Sequence, residues 1–277
     1  QIFRDRGLPA ELTYLPIVES SYDIYARSSV GALGIWQFMA STGRQYMRVT
    51  SSVDERRDPL ESSRAAASYL QQAYEYLGSW PLAITSYNYG PAGIARAVSD
   101  VGSNNLVDLI NNYNHPYWGF APKNFYAEFL AAVEVGSNLE RYFPGLEQET
   151  AAPIREMELT AHTSMSALSN STGLSRSELL GWNPALAQGT NMVPAGYRVK
   201  LPSDRSVQPL VTVAQVKQQA AVRPVQSQLV HHKVKRGETL FQIARRYGAS
   251  VQNILQANGM RQAHFVRVGM TLVIPKV

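Results

Sequence analysis

The chain of 277 residues contains no cysteine, which excludes disulfides and thiolate metal sites and fits an envelope compartment without requiring one. It also lacks an apolar run near the ~20 residues that span a bilayer, so the chain as given is expected to be soluble. It begins with Gln1 rather than Met. A signal peptide or lipid-bearing cysteine would therefore lie upstream. Histidine is scarce: His115, His162, His231, His232 and His264 show no ligand spacing, and there is no Asp-x-Asp-x-Asp-Gly loop, so no metal is expected. A phosphate-cradling glycine loop and a nucleophile elbow are missing too, and no cofactor is expected.

What is present is unevenly charged. Residues 1–150 hold 11 Lys and Arg against 16 Asp and Glu, a net of −5, and residues 151–277 hold 15 against 5, a net of +10. A basic appendage thus follows an acidic unit. Such an appendage suits nucleic acid, an anionic surface or an acidic polymer. Nucleic acid is the weaker reading, because the positive residues are scattered and no reader motif accompanies them.

Apolar residues at i, i+3 and i+4 spacing predict helices over 10–20, 61–78, 81–100 and 124–141. Asp58 followed by Pro59 predicts a helix start, with the carboxylate as N-cap and proline at the first helical position. No alternating strand is convincing before residue 150, so the first part is mostly α. Phe143-Pro144-Gly145 and Ala152-Pro153 mark a boundary. Residues 1–150 are accordingly expected to fold by themselves.

The candidate acid is Glu19, at the end of the apolar run Leu15-Pro16-Ile17-Val18. Taking solvent from a Glu raises its pKa, and a general acid works best with a pKa near the working pH. Most Glu residues are solvated surface groups, but a second polar cluster, Thr85-Ser86-Tyr87-Asn88-Tyr89-Gly90, interrupts another apolar segment. Asp23 falls in an expected loop. Asp54, Glu55 and Asp58 stand with Arg56 and Arg57 in what reads as a salt-bridged turn and helix cap.

Glu19-Ser20, then Ser28, then Gly31-Ala32-Leu33-Gly34-Ile35-Trp36-Gln37-Phe38-Met39, then Ser86-Tyr87-Asn88-Tyr89-Gly90 resemble, in order and spacing, the motifs of the soluble-lytic-transglycosylase domain, whose lysozyme-like fold is shared with goose-type lysozymes. The resemblance covers roughly residues 8 to 135. Within that family it is similar to the membrane-bound lytic transglycosylase D group, in which LysM repeats follow the catalytic domain. The resemblance implies cleavage of the β-1,4 bond between N-acetylmuramic acid and N-acetylglucosamine without water, leaving 1,6-anhydromuramoyl ends. Glu19 would protonate the leaving oxygen and then accept the C6 hydroxyl proton. Ser28 and Gln37 would position the carboxyl or the N-acetyl group, Met39 would line a saccharide subsite, and Tyr87 and Asn88 would hydrogen-bond the acid or the substrate. Many relatives carry Glu-Thr-x-x-Tyr before the last helix; here Ala121-Pro122-Lys123-Asn124-Phe125-Tyr126 offers no glutamate, and Tyr126 is the aromatic hydroxyl assigned near the acid. Simpler roles stand beside these: Met39 as core filler, Ser28 as a cap, Gly31 and Gly34 as turn residues. The alternatives are a hydrolytic muramidase and a non-catalytic wall-binding protein.

The basic part repeats itself. Met165, Leu168, Gly173, Leu179-Leu180 and Asn183 fall 75 positions before Leu240, Ile243, Gly248, Ile254-Leu255 and Asn258, and Gly196 and Pro202 fall 73 before Gly269 and Pro275. The second copy resembles a LysM module, which implies a βααβ unit binding N-acetylglucosamine polymers. Its assigned glycan contacts are Gly237, Glu238, Thr239 and Leu240, with the loop beginning at Asn258, although Gly237 and Asn258 equally suit turn and cap duties. The first copy has His162-Thr163-Ser164 where the second has Gly237-Glu238-Thr239, so glycan affinity is expected of the second. The expected organisation is a lysozyme-like domain over 1–150, a degenerate LysM module over 156–203, a flexible linker over 204–229 rich in Gln, Val, Ala and Ser, and a LysM module over 230–277. The implied setting is a monomer in the periplasm, bound to peptidoglycan strands and attached to the outer membrane, as a lipoprotein, by a segment outside this chain.

Overall fold

The computed structural model describes residues 1–147, 149–203, 229–235, 238–260 and 267–275. The described residues up to Ser203 belong to one compact unit and those from Leu229 onward to a second.

In the first unit, the stretch expected as one helix over 10–20 is a 3-10 turn, Ala10–Tyr14, running into α1 (Leu15–Ser20). Five further helices follow: α2 (Ala40–Tyr46), α3 (Pro59–Leu77), α4 (Trp80–Tyr89), α5 (Pro91–Val101) and α6 (Leu106–Asn112). α7 (Phe120–Ser137) and the single turn α8 (Leu139–Tyr142) complete the helical part. Asp58 caps α3 as its sequence predicts, its Oδ1 accepting from the amides of Leu60 and Glu61 at 2.9 and 3.0 Å. The helix expected over 81–100 is two helices, because Gly90 sits at φ 84°, ψ 141° and Pro91 brings no N–H to continue the ladder. α2 and α6 were not foreseen, each being only seven residues long, too short to show an apolar stripe. Leu12, Leu15, Trp36, Phe38, Ala66, Leu70, Phe125 and Phe129 form one buried cluster, and Leu82, Ile94, Ala97, Leu109 and Trp118 a second. α4 packs against both α3 and α7.

Residues 154–202 run β1 (Ile154–Glu158), β2 (Thr163–Ser164), α9 (Met165–Thr172), α10 (Arg176–Trp182), β3 (Met192–Val193) and β4 (Arg198–Pro202). β1 pairs antiparallel with β4, Ile154 facing Pro202. The second unit runs β5 (Leu229–Lys233), α11 (Leu240–Tyr247), α12 (Val251–Ala257) and β6 (Thr271–Pro275). Its antiparallel strand pair has Leu229 facing Pro275. Those partners are the same offsets apart as the sequence repeat, so the two strand pairs share one register. Asn183 donates from Nδ2 to Leu179 O and Lys200 O and accepts Lys200 N–H on Oδ1. Asn258 does the same with Ile254 O, Val273 O and Val273 N–H. One amide in each copy sews the second helix to the last strand.

The expected boundary near residue 150 does not separate two bodies. Val53, 1% exposed, is part of the apolar cluster built by Leu159, Leu168, Leu179, Leu186 and Tyr197. The Lys200 ammonium, 3% exposed, lies 2.7 Å from Asp58 Oδ2 and 2.9 Å from Glu61 Oε1. Arg64 joins Glu61 and Glu156. Charged side chains that the sequence assigns to two separate surfaces are here each other's partners, and burying any of them alone would be costly. The expected linker lies outside the described residues except Leu229, which opens β5. Among the described residues, no helix is long and apolar enough to cross a membrane.

Candidate active site

α1 is short, with Pro16 in its first turn, where a missing N–H costs nothing. It places Glu19 one residue before its end. Ser20 Oγ then donates to Ile35 O at 2.8 Å, tying the helix end to the Gly31–Phe38 turn. The chain leaves through Ser21 and Tyr22 at φ 52° and 62°, and Gln37 in that turn has φ 48°. Among the described residues these are the three non-glycine residues with left-handed backbone, and they flank one site. Such conformers cost about 1–3 kcal/mol each and persist where surrounding contacts over-determine them. Gly34, at φ 75°, lies so close to the Arg56 backbone that an added Cβ would stand 1.9 Å from Arg56 O. Only glycine fits there.

The Glu19 carboxyl is raised to about 7, chiefly by burial and secondarily by the negative charge of Glu128. Near neutral pH it therefore holds a proton for a substantial fraction of the time. Glu128, on the exposed side of α7, was not foreseen: it lies outside every motif, and only the packing of α7 against α1 brings its charge to bear. Replacing Glu128 by Gln removes that repulsion, so the Glu19 pKa should fall by a fraction of a unit. The alkaline limb of the pH–rate profile should move to lower pH, and an unmoved limb would refute the coupling.

The other predicted residues divide. Ser28 Oγ accepts the Ala32 N–H at 2.9 Å, so it caps a turn rather than a helix. Gln37 Nε2 donates to Gly34 O at 2.8 Å and Ala26 O at 3.2 Å. Tyr87 Oη donates to Trp36 O at 2.8 Å, and its ring packs against Trp36, Phe38 and Tyr69. Its hydroxyl is pushed well above the ordinary tyrosine value by burial, then by Glu19 and Tyr69. Tyr87 is thus close enough to feel the acid, while its proton holds the turn. Met39 is exposed and precedes α2. Asn88 is exposed on α4 and lines a groove of about 520 Å³ with Tyr89, Arg96, His115 and Tyr117. Tyr126 is half-buried beside Phe129 between the two helical clusters.

The remaining acids are occupied. Asp23 Oδ1 accepts the Tyr25 N–H at 2.8 Å. Asp54 grips Arg56 with both oxygens, at 2.9 Å to Nε and 2.7 Å to Nη2. No group of three or more His, Asp or Glu among the described residues could hold a metal ion.

In the second unit, Gly237 lies outside the described residues. Glu238 is held down to about 2 by the Lys235 amide, then His232 and Arg246, with Oε2 2.8 Å from His232 Nε2. Thr239 caps α11, exchanging bonds with Gln242. Leu240 is 2% exposed within the module core with Ile243, Ile254, Leu272 and Ile274. The side chains of Leu240 and Asn258, expected to meet glycan, are therefore spent on the fold.

Comparison with known proteins fits this geometry. Residues 3–109 match the family model described as Transglycosylase SLT domain, and residues 232–275 the one described as LysM domain. Membrane-bound lytic murein transglycosylase D of Escherichia coli (strain K12) is 28% identical over 98% of this chain and 61% of its own length. A putative tributyltin chloride resistance protein of an Alteromonas species is 31% identical over 35% of this chain and 47% of its own. An inactive mutant of the lytic transglycosylase Slt from Pseudomonas aeruginosa aligns with 50% of this chain and 23% of its own, at 24% identity and a TM-score of 0.41. The chain thus spans about three-fifths of the length of the first of these relatives. Residues 3–109 are thus similar to transglycosylase SLT domains and residues 232–275 to LysM domains.

Proposed function

We propose that the first unit is a peptidoglycan lytic transglycosylase and that the second tethers it to the glycan. The observation that carries the reading is Glu19: one carboxyl, at the end of a short helix, raised to about 7 beside a turn held in strained geometry. Glu19 donates its proton to the oxygen between N-acetylmuramic acid and N-acetylglucosamine as that bond breaks. The substrate's N-acetyl oxygen supports the positive charge developing at C1. The carboxylate then takes the C6 hydroxyl proton as that oxygen closes on C1, restoring the acid and leaving a 1,6-anhydro end. No water is consumed, and one carboxyl serves both steps. Ser28 and Gln37 shape the turn at the reacting bond. Met39, Asn88 and Tyr126 are the side chains proposed to meet sugar.

Hydrolysis of the same bond is the second reading, favoured by Glu128, the other carboxylate whose charge reaches Glu19, since glycosidases ordinarily use two. Mass spectrometry of digested sacculi separates the two, because the products differ by one water. Anhydro ends support the transglycosylase, reducing ends replace it with a muramidase, and intact sacculi leave a wall-binding protein.

Because the acid must be protonated, kcat/KM should be level below pH about 7 and fall roughly tenfold per unit above it. A limb near the ordinary carboxylate value would contradict the assignment. Deleting 229–277 should leave cleavage of soluble glycan fragments intact and weaken co-sedimentation with sacculi, because the module raises effective concentration by tethering. Equal sedimentation of both chains would remove the targeting role. The proposed setting is the periplasmic envelope, with outer-membrane attachment through a segment beyond this chain.

A further inference from the structure

After Asn183 the chain makes a loop that runs to Thr190. In the first copy that loop is taken by the helical part of the same unit. Asp54 N donates to Ala185 O at 2.8 Å and Ala187 N to Ser52 O at 3.0 Å. Thr190 Oγ1 adds a third bond to Ser52 O at 3.0 Å, and Val53 bridges Leu186 with its side chain in the copy's core. Segment 52–54 thus makes an isolated antiparallel β-bridge to the loop after Asn183, and the corresponding loop of the second copy is where glycan is expected to bind.

The grip continues inward. Asp54, held by Ala185, holds Arg56 in a two-pronged ion pair. Arg56, 8% exposed, turns its Nη1 to two carbonyls, Gly31 O and Phe38 O, both at 3.0 Å. Those are the two ends of the turn that carries Gln37. The Arg56 backbone also fills the space that a side chain at position 34 would need. At the far end of the segment, Asp58 is pinned by Lys200. A continuous run of bonds therefore leads from Ala185, through Asp54 and Arg56, to the turn.

We propose that the 154–202 repeat is a clamp rather than a glycan-binding module: it seizes Ser52–Asp58 and through Arg56 fixes the Gly31–Phe38 turn in its strained, working geometry. Arg56 is then a positioning residue. The claim that the turn works on substrate rests on the transglycosylase reading; the claim that the repeat holds the turn does not.

The test uses the full chain with Val53→Ala, which trims the side chain set in the repeat's core, and with Arg56→Lys and Arg56→Met. Amide hydrogen exchange is followed at Leu33 and Gln37, whose N–H groups bond to Phe38 O and Gly34 O within the turn, at Gly34, whose N–H bonds to Ala26 O, and at amides of α4 for reference. The clamp requires exchange in the turn to rise at least tenfold in Val53→Ala and Arg56→Met while α4 is unchanged, with Arg56→Lys between. It also requires kcat to fall about tenfold with KM changing less than twofold. Uniform acceleration over the unit would show a merely structural role and overturn the proposal, as would unchanged exchange in folded Arg56→Met. Should the wild-type chain make no anhydro ends, the function reading fails alone, and the exchange data still decide the clamp.

Discussion

Glu19→Gln should lose sacculus cleavage by about 10²–10⁴-fold, the range a positioned acid–base group supplies, and should at the same time be more stable than the wild type at pH 8. The second half follows from linkage. The Glu19 pKa is raised from 4.5 to about 7 on folding, so between those values the folded chain keeps a proton that the unfolded chain has released. Stability from this group is fully present below about 4.5 and is lost as pH rises through about 7. The loss amounts to roughly 3 kcal/mol, at about 1.4 kcal/mol per pKa unit. Glutamine has no proton to lose. The two melting temperatures should therefore lie close together at pH 4.5 and separate by several degrees at pH 8. Turnover near wild-type in a verified variant, or a gap that does not widen with pH, would remove Glu19 from its role. Asp23→Asn and Asp54→Asn serve as controls: neither should approach the catalytic loss, although the second should loosen Arg56.

A chain ending at residue 150 should fail to give a cooperative thermal transition, whereas one ending at 203 should melt like the intact first unit. The sequence suggests the opposite for the shorter chain, because its helices look self-sufficient. What the shorter chain lacks is the cover over Val53 and the cation facing Asp58, which is 1% exposed, and Glu61. The point variant Lys200→Met isolates the electrostatic part. It leaves the buried Asp58 carboxylate without its cation, while Glu61 keeps Arg64, and should cost about 3–5 kcal/mol, the usual penalty for removing one partner of a buried pair. Replacing Lys200, Asp58 and Glu61 together by apolar residues of similar volume should recover most of that loss. A cooperative, fully stable 1–150 fragment would mean that the contacts are incidental.

The residues proposed to carry chemistry cluster in short motifs that the sequence displays, and the Asp58 cap and the two repeat copies were legible because capping and duplication leave fixed spacings. Arg56 and Lys200 were not. An arginine two positions from an aspartate reads as part of a salt-bridged turn, which it is, but nothing local shows that its guanidinium also reaches carbonyls 18 and 25 residues earlier. Tyr87 was assigned near the acid on resemblance, and Glu19 does contribute to its shift. That its hydroxyl proton goes to Trp36 depends on a turn 51 residues away. Leu240 stood in a motif and was assigned to ligand, but a leucine at the first position of an amphipathic helix is equally a core residue, and it proved to be one.

The left-handed residues Ser21, Tyr22 and Gln37 bear on any attempt to make this protein hardier. Glycine at such positions relieves backbone strain, so a screen scored on heat resistance alone would be drawn to them. Each such gain would come from letting the turn and the end of α1 relax, and the survivors of that screen would be better folded and poorer at cutting. Selection for robustness and selection for turnover would pull these three positions in opposite directions, which makes them the places to hold fixed while the rest of the surface is varied.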